Sequence, residues 1–422
     1  MPAWQFLGSL DTFSMISLLW YMLVLEVPRY FLGAIVIGFA GQRRPLPPIL
    51  HVNPTIGLLL VGHNDATALR PCVLALAEQS VMLNRSQVQI VVVDDGSTDS
   101  MLRIARDLRE AGLIDDLLHV AMRGGKSAGV NLGLTMCRGE IVVILDIDTT
   151  LDRDALEMLV PYFSDPRVGG VGGDLGVRNG GASVVTRCQQ IEYLIAISLG
   201  RRIGDLLGLL TIVSGAFGAF RRCAVLGVGG PDGEVGEDAD LTMKLRRAGW
   251  RIRFAPDARA LTHVPETIAG LIAQRLRWDR GLVTIWLRKY RGALNPFQGN
   301  FRLRDAGAVL DVLLFQLVAA LVFPVYVLWL WSNLGAFGFS VLAATLTGYI
   351  LLALLAFLVA ASLTAEPLRA VRLLVWLPFY IVVQVGLLRP VRLIGITQEL
   401  LLRSSYRDQY VPTRVMRQVE RV

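Results

Sequence analysis

Cysteine is scarce in this chain of 422 residues, which contains only four. Cys72, Cys137, Cys188 and Cys223 lie far apart and form no CxxC pair. This spacing argues against a zinc site and against a disulfide framework. We therefore expect the cysteines to lie in reducing surroundings.

The glycine pattern of a phosphate-loop ATPase is also missing. The segment "RGGKSAGVN" (123–131) is rich in glycine, but the motif GxxxxGK[ST] needs a glycine at position 120, where the chain has Val120. Lys126 of this segment still lies at a predicted helix start. A lysine there is unfavourable against the helix dipole unless an anion is near, so Lys126 is a candidate for phosphate contact.

The chain is too apolar for an ordinary soluble enzyme. Hydrophobic residues make up 53% of it, the mean hydropathy is +0.51 and the formal net charge is +7. These values predict a membrane protein. A basic balance could also indicate a nucleic-acid partner, but many arginines flank apolar segments, where cytoplasmic loops carry them. We therefore expect no nucleic-acid binding.

The apolar segments lie at the two ends of the chain. Residues 15–41 are long enough to span a bilayer, but Glu26, Pro28 and Arg29 interrupt them. This predicts either one kinked span or an interfacial piece plus a span, with Glu26 paired to Arg29. Arg43 and Arg44 would mark its cytoplasmic end. Three later segments are also long enough to span: 306–331, 337–363 and 373–388.

Four regions follow from this pattern. They are an N-terminal membrane segment (1–44), a domain that ends in interfacial helices (45–300), a C-terminal transmembrane region (301–403) and a basic tail (404–422). One plus three spans would place the C-terminus outside, although its arginines favour the cytoplasm. Either one segment is re-entrant or interfacial, or the tail departs from the usual preference of Lys and Arg for the cytoplasmic side.

The central region has the pattern of an α/β domain. "TIGLLLVG", "VQIVVVDD" and "EIVVILDID" resemble buried strands, and amphipathic stretches separate them. This order predicts a parallel sheet covered by helices, with the functional site at the carboxyl ends of the strands. Asp94, Asp95, Asp146 and Asp148 fall at those ends.

The first acidic motif is "VVVDDGSTD" (91–99), a strand end followed by a helix start. Capping of the helix is enough to explain Asp99. It does not explain Asp94 and Asp95, which we expect to be exposed and to accept hydrogen bonds from a base or a ribose.

The second acidic motif is "ILDIDTT" (144–150). Residues two apart in a strand point the same way, so Asp146 and Asp148 are expected on one side of an extended end. Two carboxylates so placed repel each other unless a divalent cation, typically Mg²⁺ or Mn²⁺, lies beside them. Two aspartates separated by one residue are weak evidence for a metal site by themselves. At the end of a buried strand in an α/β domain they are much stronger evidence for one.

The third acidic motif opens a predicted helix in "GEVGEDADLTMKLRRAGW" (233–250). Glu237, Asp238 and Asp240 lie in its first turn, where the helix dipole favours acidic residues in any protein. The functional alternative is that Asp238 is a general base that takes a proton from an acceptor hydroxyl.

The last motif is "AQRLRWDRG" (273–281), ahead of the C-terminal apolar region. Gln274, Arg277 and Trp278 share one helical face. Arginine suits bidentate contact with phosphate, and tryptophan offers an apolar face to a sugar ring. Arg275 and Arg280 lie off that face and are expected to be basic flank.

These motifs resemble those of the processive, membrane-embedded inverting glycosyltransferases of family 2, which make cellulose, chitin, hyaluronan and poly-N-acetylglucosamine. "VDDGSTD", "DID", "GED" and "QRLRW" occur in the order of that family's signature. "VPETIAGLIAQRLRWDRG" and "SGAFGAFRR" are most similar to the poly-N-acetylglucosamine synthase branch. "GHND" stands where the family commonly has a tyrosine-asparagine-glutamate turn, and Gly236 stands where threonine is common. These departures affect the expected details of the uracil pocket and the position of the catalytic base, but not the reaction class.

The resemblance implies a Rossmann-like (GT-A type) nucleotide-sugar domain inserted between transmembrane helices. Asp238 would be the catalytic base, and Asp146 and Asp148 would bind Mg²⁺ or Mn²⁺. The region of His63, Asn64 and Asp65 would hold uridine. The implied substrate-binding residues are Asn64, Asp65, Asp94, Asp95, Lys126, Asp146, Glu237, Gln274, Arg277 and Trp278.

The reaction implied is transfer of sugar from UDP-GlcNAc or UDP-Glc to a growing polysaccharide by inverting displacement, with export of the polymer. Transfer of one sugar to a membrane lipid is the alternative, and a membrane protein that only binds a nucleotide is a third. We expect a multi-pass protein of the inner (plasma) membrane with a cytoplasmic catalytic domain. The sequence leaves open whether the protein has an accessory subunit or forms a homo-oligomer.

Overall fold

The computed structural model describes residues 5, 8–28, 33–40, 54–233, 235–299, 301–407, 412, 413, 415 and 416. A mixed eight-stranded sheet lies in the central part of the chain, in the order β3-β2-β1-β4-β7-β6-β8-β5. Its strands are β1 (Ile56–Gly62), β2 (Val88–Asp95), β3 (Asp116–Val120), β4 (Ile141–Asp146), β5 (Thr150–Leu151), β6 (Val168–Val177), β7 (Phe217–Arg221) and β8 (Arg251–Thr262).

The three predicted strands are confirmed as β1, β2 and β4, but the sheet is not wholly parallel. β3, β2, β1 and β4 run parallel to their neighbours. β7 is antiparallel to both β4 and β6, and β5 is antiparallel to β8. The prediction missed this half because glycine-rich strands such as "VGGVGGDLGV" lack the β-branched runs that indicate a strand.

The described part of the chain contains α-helices that cover both faces of the parallel half and others that pack outside the sheet domain. They are α1 (Thr12–Tyr21), α2 (Gly33–Ala40), α3 (Ala66–Ala77), α4 (Met101–Glu110), α5 (Lys126–Met136), α6 (Ala155–Leu159), α7 (Val184–Glu192), α8 (Gly200–Leu207), α9 (Arg222–Gly227), α10 (Glu237–Arg247), α11 (Ile268–Leu282), α12 (Leu303–Val312), α13 (Ala319–Leu334), α14 (Gly338–Ser362), α15 (Pro367–Val371), α16 (Leu377–Val382) and α17 (Arg389–Leu402). π-helical segments continue several of them, including Tyr193–Leu199 between α7 and α8.

The side chains of β1 explain why its sequence is apolar throughout. Leu58 and Leu60 pack into the core on one face with Leu69 of α3, while Leu59 packs on the other with Val130 of α5. A strand buried on both faces shows no polar alternation.

Within the part of the chain that the structure describes, two helical runs are long and apolar enough to cross a membrane, residues 303–362 and 367–402. The predicted segments 306–331 and 373–388 fall within them, and 337–363 ends one residue beyond the first run. Gly335, with a φ of +51°, separates α13 from α14, and Val341 of α14 packs against Leu330 of α13. The first run is therefore bent back on itself.

The N-terminal helix α1 packs against this region. The Tyr21 hydroxyl donates to the Ala319 carbonyl at 3.0 Å, and the Tyr326 hydroxyl donates to the Leu18 carbonyl at 2.6 Å. Glu26 pairs with Arg389 of α17. The expected partner of Glu26, Arg29, lies outside the described residues, as do Arg43 and Arg44. The sheet domain is thus inserted between helices that pack together.

Candidate active site

A cavity of about 1270 Å³ opens at the carboxyl ends of β1, β2 and β4. The β1 register sets Gly62 opposite Asp94 and Val61 opposite Asp146, which brings these strand ends to one edge. Ten of the predicted site residues line the cavity: Asp65, Asp95, Lys126, Asp146, Asp148, Glu237, Asp238, Gln274, Arg277 and Trp278. Asn64 and Asp94 are not among its lining residues.

Asp95 is held by the glycine loop before α5. The Gly124 and Gly125 N–H groups donate to its two carboxylate oxygens at 2.6 and 2.7 Å. Gly125 has a φ of +88°, a conformation that favours glycine. Asp95 is only 3% exposed, so the expected exposure of this carboxylate is wrong, although it borders the cavity.

Asp94 is fully buried, and its expected exposure is also wrong. Its carboxylate accepts from the Ser97 N–H at 3.1 Å and lies 2.8 Å from His119 Nδ1. Asn64 accepts from the Thr98 N–H at 2.8 Å and adopts a φ of +60°. Both side chains fix the turns after β1 and β2, and their predicted contact with a nucleotide stays a prediction.

Asp146 ends β4, and Asp148 lies in the turn that follows. The expectation that strand alternation aligns them is therefore wrong, because the strand stops between them; the turn brings both to the cavity instead. Burial, with the nearby charge of Asp146, raises the pKa of Asp148 and that of Asp65. These carboxylates repel one another, so the site favours a cation.

Lys126 lies between two of the acidic motifs. Its Nζ donates to Asp146 Oδ1 at 2.5 Å and lies 3.4 Å from Glu237 Oε1. The neighbouring carboxylates raise the pKa of Lys126 although burial opposes this. Lys126 is therefore charged and faces the cavity from the start of α5.

Asp238 lies in the first turn of α10 and borders the cavity. Burial, together with the charge of Glu237, raises its pKa to about 6, while Lys126 acts in the opposite direction. Gly236 precedes this turn with a φ of +95°, and a Cβ there would lie 3.2 Å from Ile285. This geometry explains why glycine stands where threonine is common in the family.

α11 presents Gln274, Arg277 and Trp278 to the cavity, as their spacing predicts. The Gln274 Oε1 atom is buried and has no hydrogen-bond partner among the described residues. The Trp278 side chain is 39% exposed. A buried acceptor and an accessible ring on one helical face suit a sugar, which offers hydroxyl donors and an apolar ring face.

The prediction that Arg275 belongs only to the basic flank is wrong. Arg275 is 6% exposed, lines the cavity, and donates to Glu192 of α7 at 2.7 Å. Its guanidinium lies 4.0 Å from the centroid of the Trp278 ring. Arg280 does not line the cavity and instead donates to Gln398 of α17 at 2.9 Å. Helical spacing alone could not reveal Glu192, which is remote in sequence.

The cavity extends past the sheet domain to the apolar helices. Export of a polymer predicts polar or aromatic side chains that face a pore in the apolar segments. None of the candidates lines the cavity: Tyr326, Trp329, Trp331, Tyr349, Trp376, Tyr380 and Gln384. Tyr326, Tyr349 and Tyr380 are buried between helices. Asp311, Phe315 and Gln316 line it instead, at the end of α12 and just after it.

Among the described residues, no group of three or more His, Cys, Asp or Glu side chains is arranged to hold a metal ion by itself. Asp146 and Asp148 offer two carboxylates. This donor set fits Mg²⁺ or Mn²⁺, which bind through one or two carboxylates and complete their shells with water and substrate phosphates.

A solved structure with a similar fold is a mannosyltransferase from Pyrobaculum calidifontis in complex with GDP-mannose and Mn²⁺. The TM-score is 0.61, and the alignment covers 92% of this chain and 99% of that one at 21% identity. This likeness concerns the fold, and it confirms the predicted GT-A type domain.

The chain is also similar to poly-beta-1,6-N-acetyl-D-glucosamine synthases. It is 29% identical to that of Staphylococcus aureus (strain COL) over 282 residues, which are 65% of this chain and 66% of that protein. It is 26% identical to that of Staphylococcus epidermidis over 340 residues, covering 79% of this chain and 77% of that protein. The chain thus spans just under two thirds of the first relative.

The sequence matches the family model described as glycosyltransferase like family 2 over residues 54–281. This match contains all four motifs, from "VDDGSTD" to "QRLRW". Because it covers more than half of the chain, the protein belongs to glycosyltransferase family 2.

Proposed function

We propose that the protein is a membrane β-glycosyltransferase that transfers sugar from UDP-GlcNAc or UDP-Glc to the end of a growing polysaccharide. The observation that supports this proposal is a single cavity where residues of all four family motifs meet. The same cavity continues to Asp311 and Gln316 at the apolar helices. The similarity to polysaccharide synthases agrees with this function and favours N-acetylglucosamine as the sugar.

The donor would lie along the carboxyl edge of β1, β2 and β4. Asp65 and Asp95 border the part where uridine would bind, and the N-terminus of α5 with Lys126 would face the diphosphate. A helix N-terminus and an ammonium both attract phosphate. Arg277 would contact the diphosphate from the opposite wall.

Asp146 and Asp148 would hold Mg²⁺ or Mn²⁺ together with the donor diphosphate. The repulsion between the carboxylates supports this assignment, because a divalent cation removes it. Such an ion, when bound, offsets the negative charge that develops on the leaving UDP.

Asp238 would take the proton from the acceptor hydroxyl, whose oxygen then forms a bond to C1 of the sugar as the bond from C1 to the UDP oxygen breaks. The raised pKa of Asp238 suits a base that works near neutral pH. Attack from the face opposite an α-linked UDP gives a β-linked product without a covalent enzyme intermediate.

The terminal sugar of the polysaccharide acceptor would rest against the Trp278 ring. Its hydroxyl groups would form hydrogen bonds with the Gln274 side chain. From there the cavity leads toward the apolar helices, which are widely exposed: Leu328 is 68% exposed and Val375 72%. Such surfaces suit lipid. We infer a multi-pass membrane protein with the catalytic domain on the cytoplasmic side, where UDP-sugars occur, and export of the polymer through the helical region.

The decisive experiment uses the full chain purified in detergent. It is supplied with labelled UDP-GlcNAc or UDP-Glc and with Mg²⁺ or Mn²⁺, and the product is sized. A labelled polymer that resists lipid extraction and is cut by a specific glycosidase supports the proposal. One sugar on an extractable lipid would instead favour the lipid glycosyltransferase, and nucleotide binding without transfer would favour a binding protein.

A further inference from the structure

A largely buried ion pair lies beside the Trp278 ring, and both of its residues border the cavity. Glu192 is the last residue of α7, and its Oε2 accepts from Arg275 Nη2 at 2.7 Å. The two side chains are only 13% and 7% exposed. A π-helical segment, Tyr193–Leu199, begins right after Glu192; such segments are frequent at functional sites.

Arg275 also contacts the aromatic ring. Its guanidinium carbon lies 4.0 Å from the centroid of Trp278, so the cation covers one ring face. The guanidinium is attracted to the electron-rich face of the tryptophan ring, and a fixed guanidinium restricts the rotamers of the ring. The ion pair with Glu192 is what fixes the guanidinium, because an arginine side chain alone has many rotamers.

The other face of Trp278 is left to the cavity, since the side chain is 39% exposed and lines it. We propose that Glu192 and Arg275 are positioning residues that hold the Trp278 ring in the orientation that receives the acceptor sugar. This inference rests on the proposed function, because it concerns how that function's acceptor binds.

Glu192 is itself held by the apolar helices. Cys188, Ile191 and Ile195 on the same helical run pack in one cluster with Phe357 of α14 and Tyr380 of α16. The position of Glu192 therefore depends on the membrane region, and through Arg275 it sets the ring at the mouth of the cavity. No residue of α7 belongs to the four motifs, so this contact is visible only in the fold.

The test measures how tightly the full chain in detergent binds a β-1,6-linked N-acetylglucosamine pentasaccharide in the presence of UDP. We expect Glu192→Gln to raise the pentasaccharide Kd and KM about tenfold while the UDP Kd stays unchanged. Arg275→Lys keeps the charge but loses the planar stack, and it should raise the pentasaccharide Kd several-fold. Arg280 lies on the same helix but outside the cavity, so Arg280→Gln should change neither the pentasaccharide Kd nor the UDP Kd.

Glu192→Gln leaves Arg275 buried without its partner and could prevent folding. The double variant Glu192→Gln with Arg275→Gln removes both charges, and it should fold and still bind pentasaccharide about tenfold more weakly. In a Trp278→Ala background, Glu192→Gln should have no further effect on the pentasaccharide Kd.

Two results would overturn the inference. One is an unchanged pentasaccharide Kd in folded Glu192→Gln or in the double variant. The other is an equal effect of Glu192→Gln with and without the Trp278 ring, which would show that Glu192 acts elsewhere. A wild-type chain that transfers no sugar would refute the proposed function instead, so the two failures are distinguishable.

Discussion

Asp238 is the residue on which the proposed chemistry depends most. It lies at the N-terminus of α10 in the cavity, beside Glu237 and within the electrostatic influence of Lys126. Asp238→Asn keeps the shape of the side chain and removes the base, so kcat should fall by about 10²- to 10⁴-fold while UDP still binds. Calorimetric titration with UDP, beside a transfer assay, measures both.

Asp257→Asn is the matched control, because Asp257 is an exposed carboxylate on β8. It should transfer sugar at the wild-type rate. Wild-type turnover in Asp238→Asn would refute the assignment of the base.

The pH dependence follows from the same residue. A base is active as the carboxylate, which is the form above its pKa, and burial raises the pKa of Asp238 to about 6. We therefore expect kcat/KM to decrease as the pH falls through about 6, measured with saturating metal ion. An acidic limb near the ordinary aspartate value would mean that another group controls the reaction.

The sequence order of the motifs identified ten of the residues that line the cavity, but not the hydrogen bonds that each one makes. Asp94 and Asp95 are adjacent, yet Asp94 faces Ser97 and His119 whereas Asp95 faces the glycine loop. Arg275 differs from Arg280 only by its position on α11, and only the first meets Glu192. These partners come from distant segments, which no local pattern encodes.

At the scale of elements, α10 is tied to the start of the apolar helices. Arg246 of α10 donates to Asp305 of α12 at 3.0 Å, and to the carbonyls of Gly208, Leu210 and Arg304. Both charged side chains are 7% exposed. The helix that carries Asp238 is thus fixed to α12, which leads into the apolar helices.

Asp305→Asn should destabilise the protein by about 3–5 kcal/mol, because it leaves the Arg246 guanidinium buried without a counter-charge. The measurement is the midpoint of thermal unfolding in detergent, compared with Asp257→Asn, which should lie within about 0.5 kcal/mol of wild type. A midpoint that stays at the wild-type value would show that the carbonyl contacts alone satisfy Arg246.

The elements themselves were predictable where their patterns are regular. β1, β2 and β4 are largely apolar runs, and α5 and α11 carry the segments "KSAGVN" and "QRLRW". β6 and β7 were missed because their glycines fit close packing rather than strand propensity: a Cβ at Gly173 would lie 2.1 Å from Phe217. Such glycines are required by neighbours that only the fold brings together.

At the scale of the whole molecule, one cavity joins the sheet domain to the apolar helices. The sequence predicted both regions and their order, but it could not predict which side chains of the helices face inward. α13 and α14 are apolar on all sides, so no polar stripe marks the inner face. Aromatic residues were therefore the natural candidates, although Trp331 is 57% exposed on the outside.

The inner wall includes Gln316, which follows α12 and lines the cavity beside Phe315. If a polymer leaves along this path, a larger side chain at position 316 obstructs it beyond the site of transfer. Gln316→Trp should therefore shorten the product while the first transfers to a soluble pentasaccharide continue at the wild-type rate. Product length, measured by gel or by mass spectrometry, separates these effects.

Leu328→Trp adds a comparable bulk on α13, but that side chain is 68% exposed on the outer surface. It should leave product length unchanged. Full-length polymer from Gln316→Trp would mean that the chain leaves the active site by another route, and loss of the first transfer in that variant would mean that Gln316 contacts the reacting sugars. Because obstruction acts only on a chain long enough to reach the helices, shortening confined to Gln316→Trp would favour export through this cavity over transfer to a lipid.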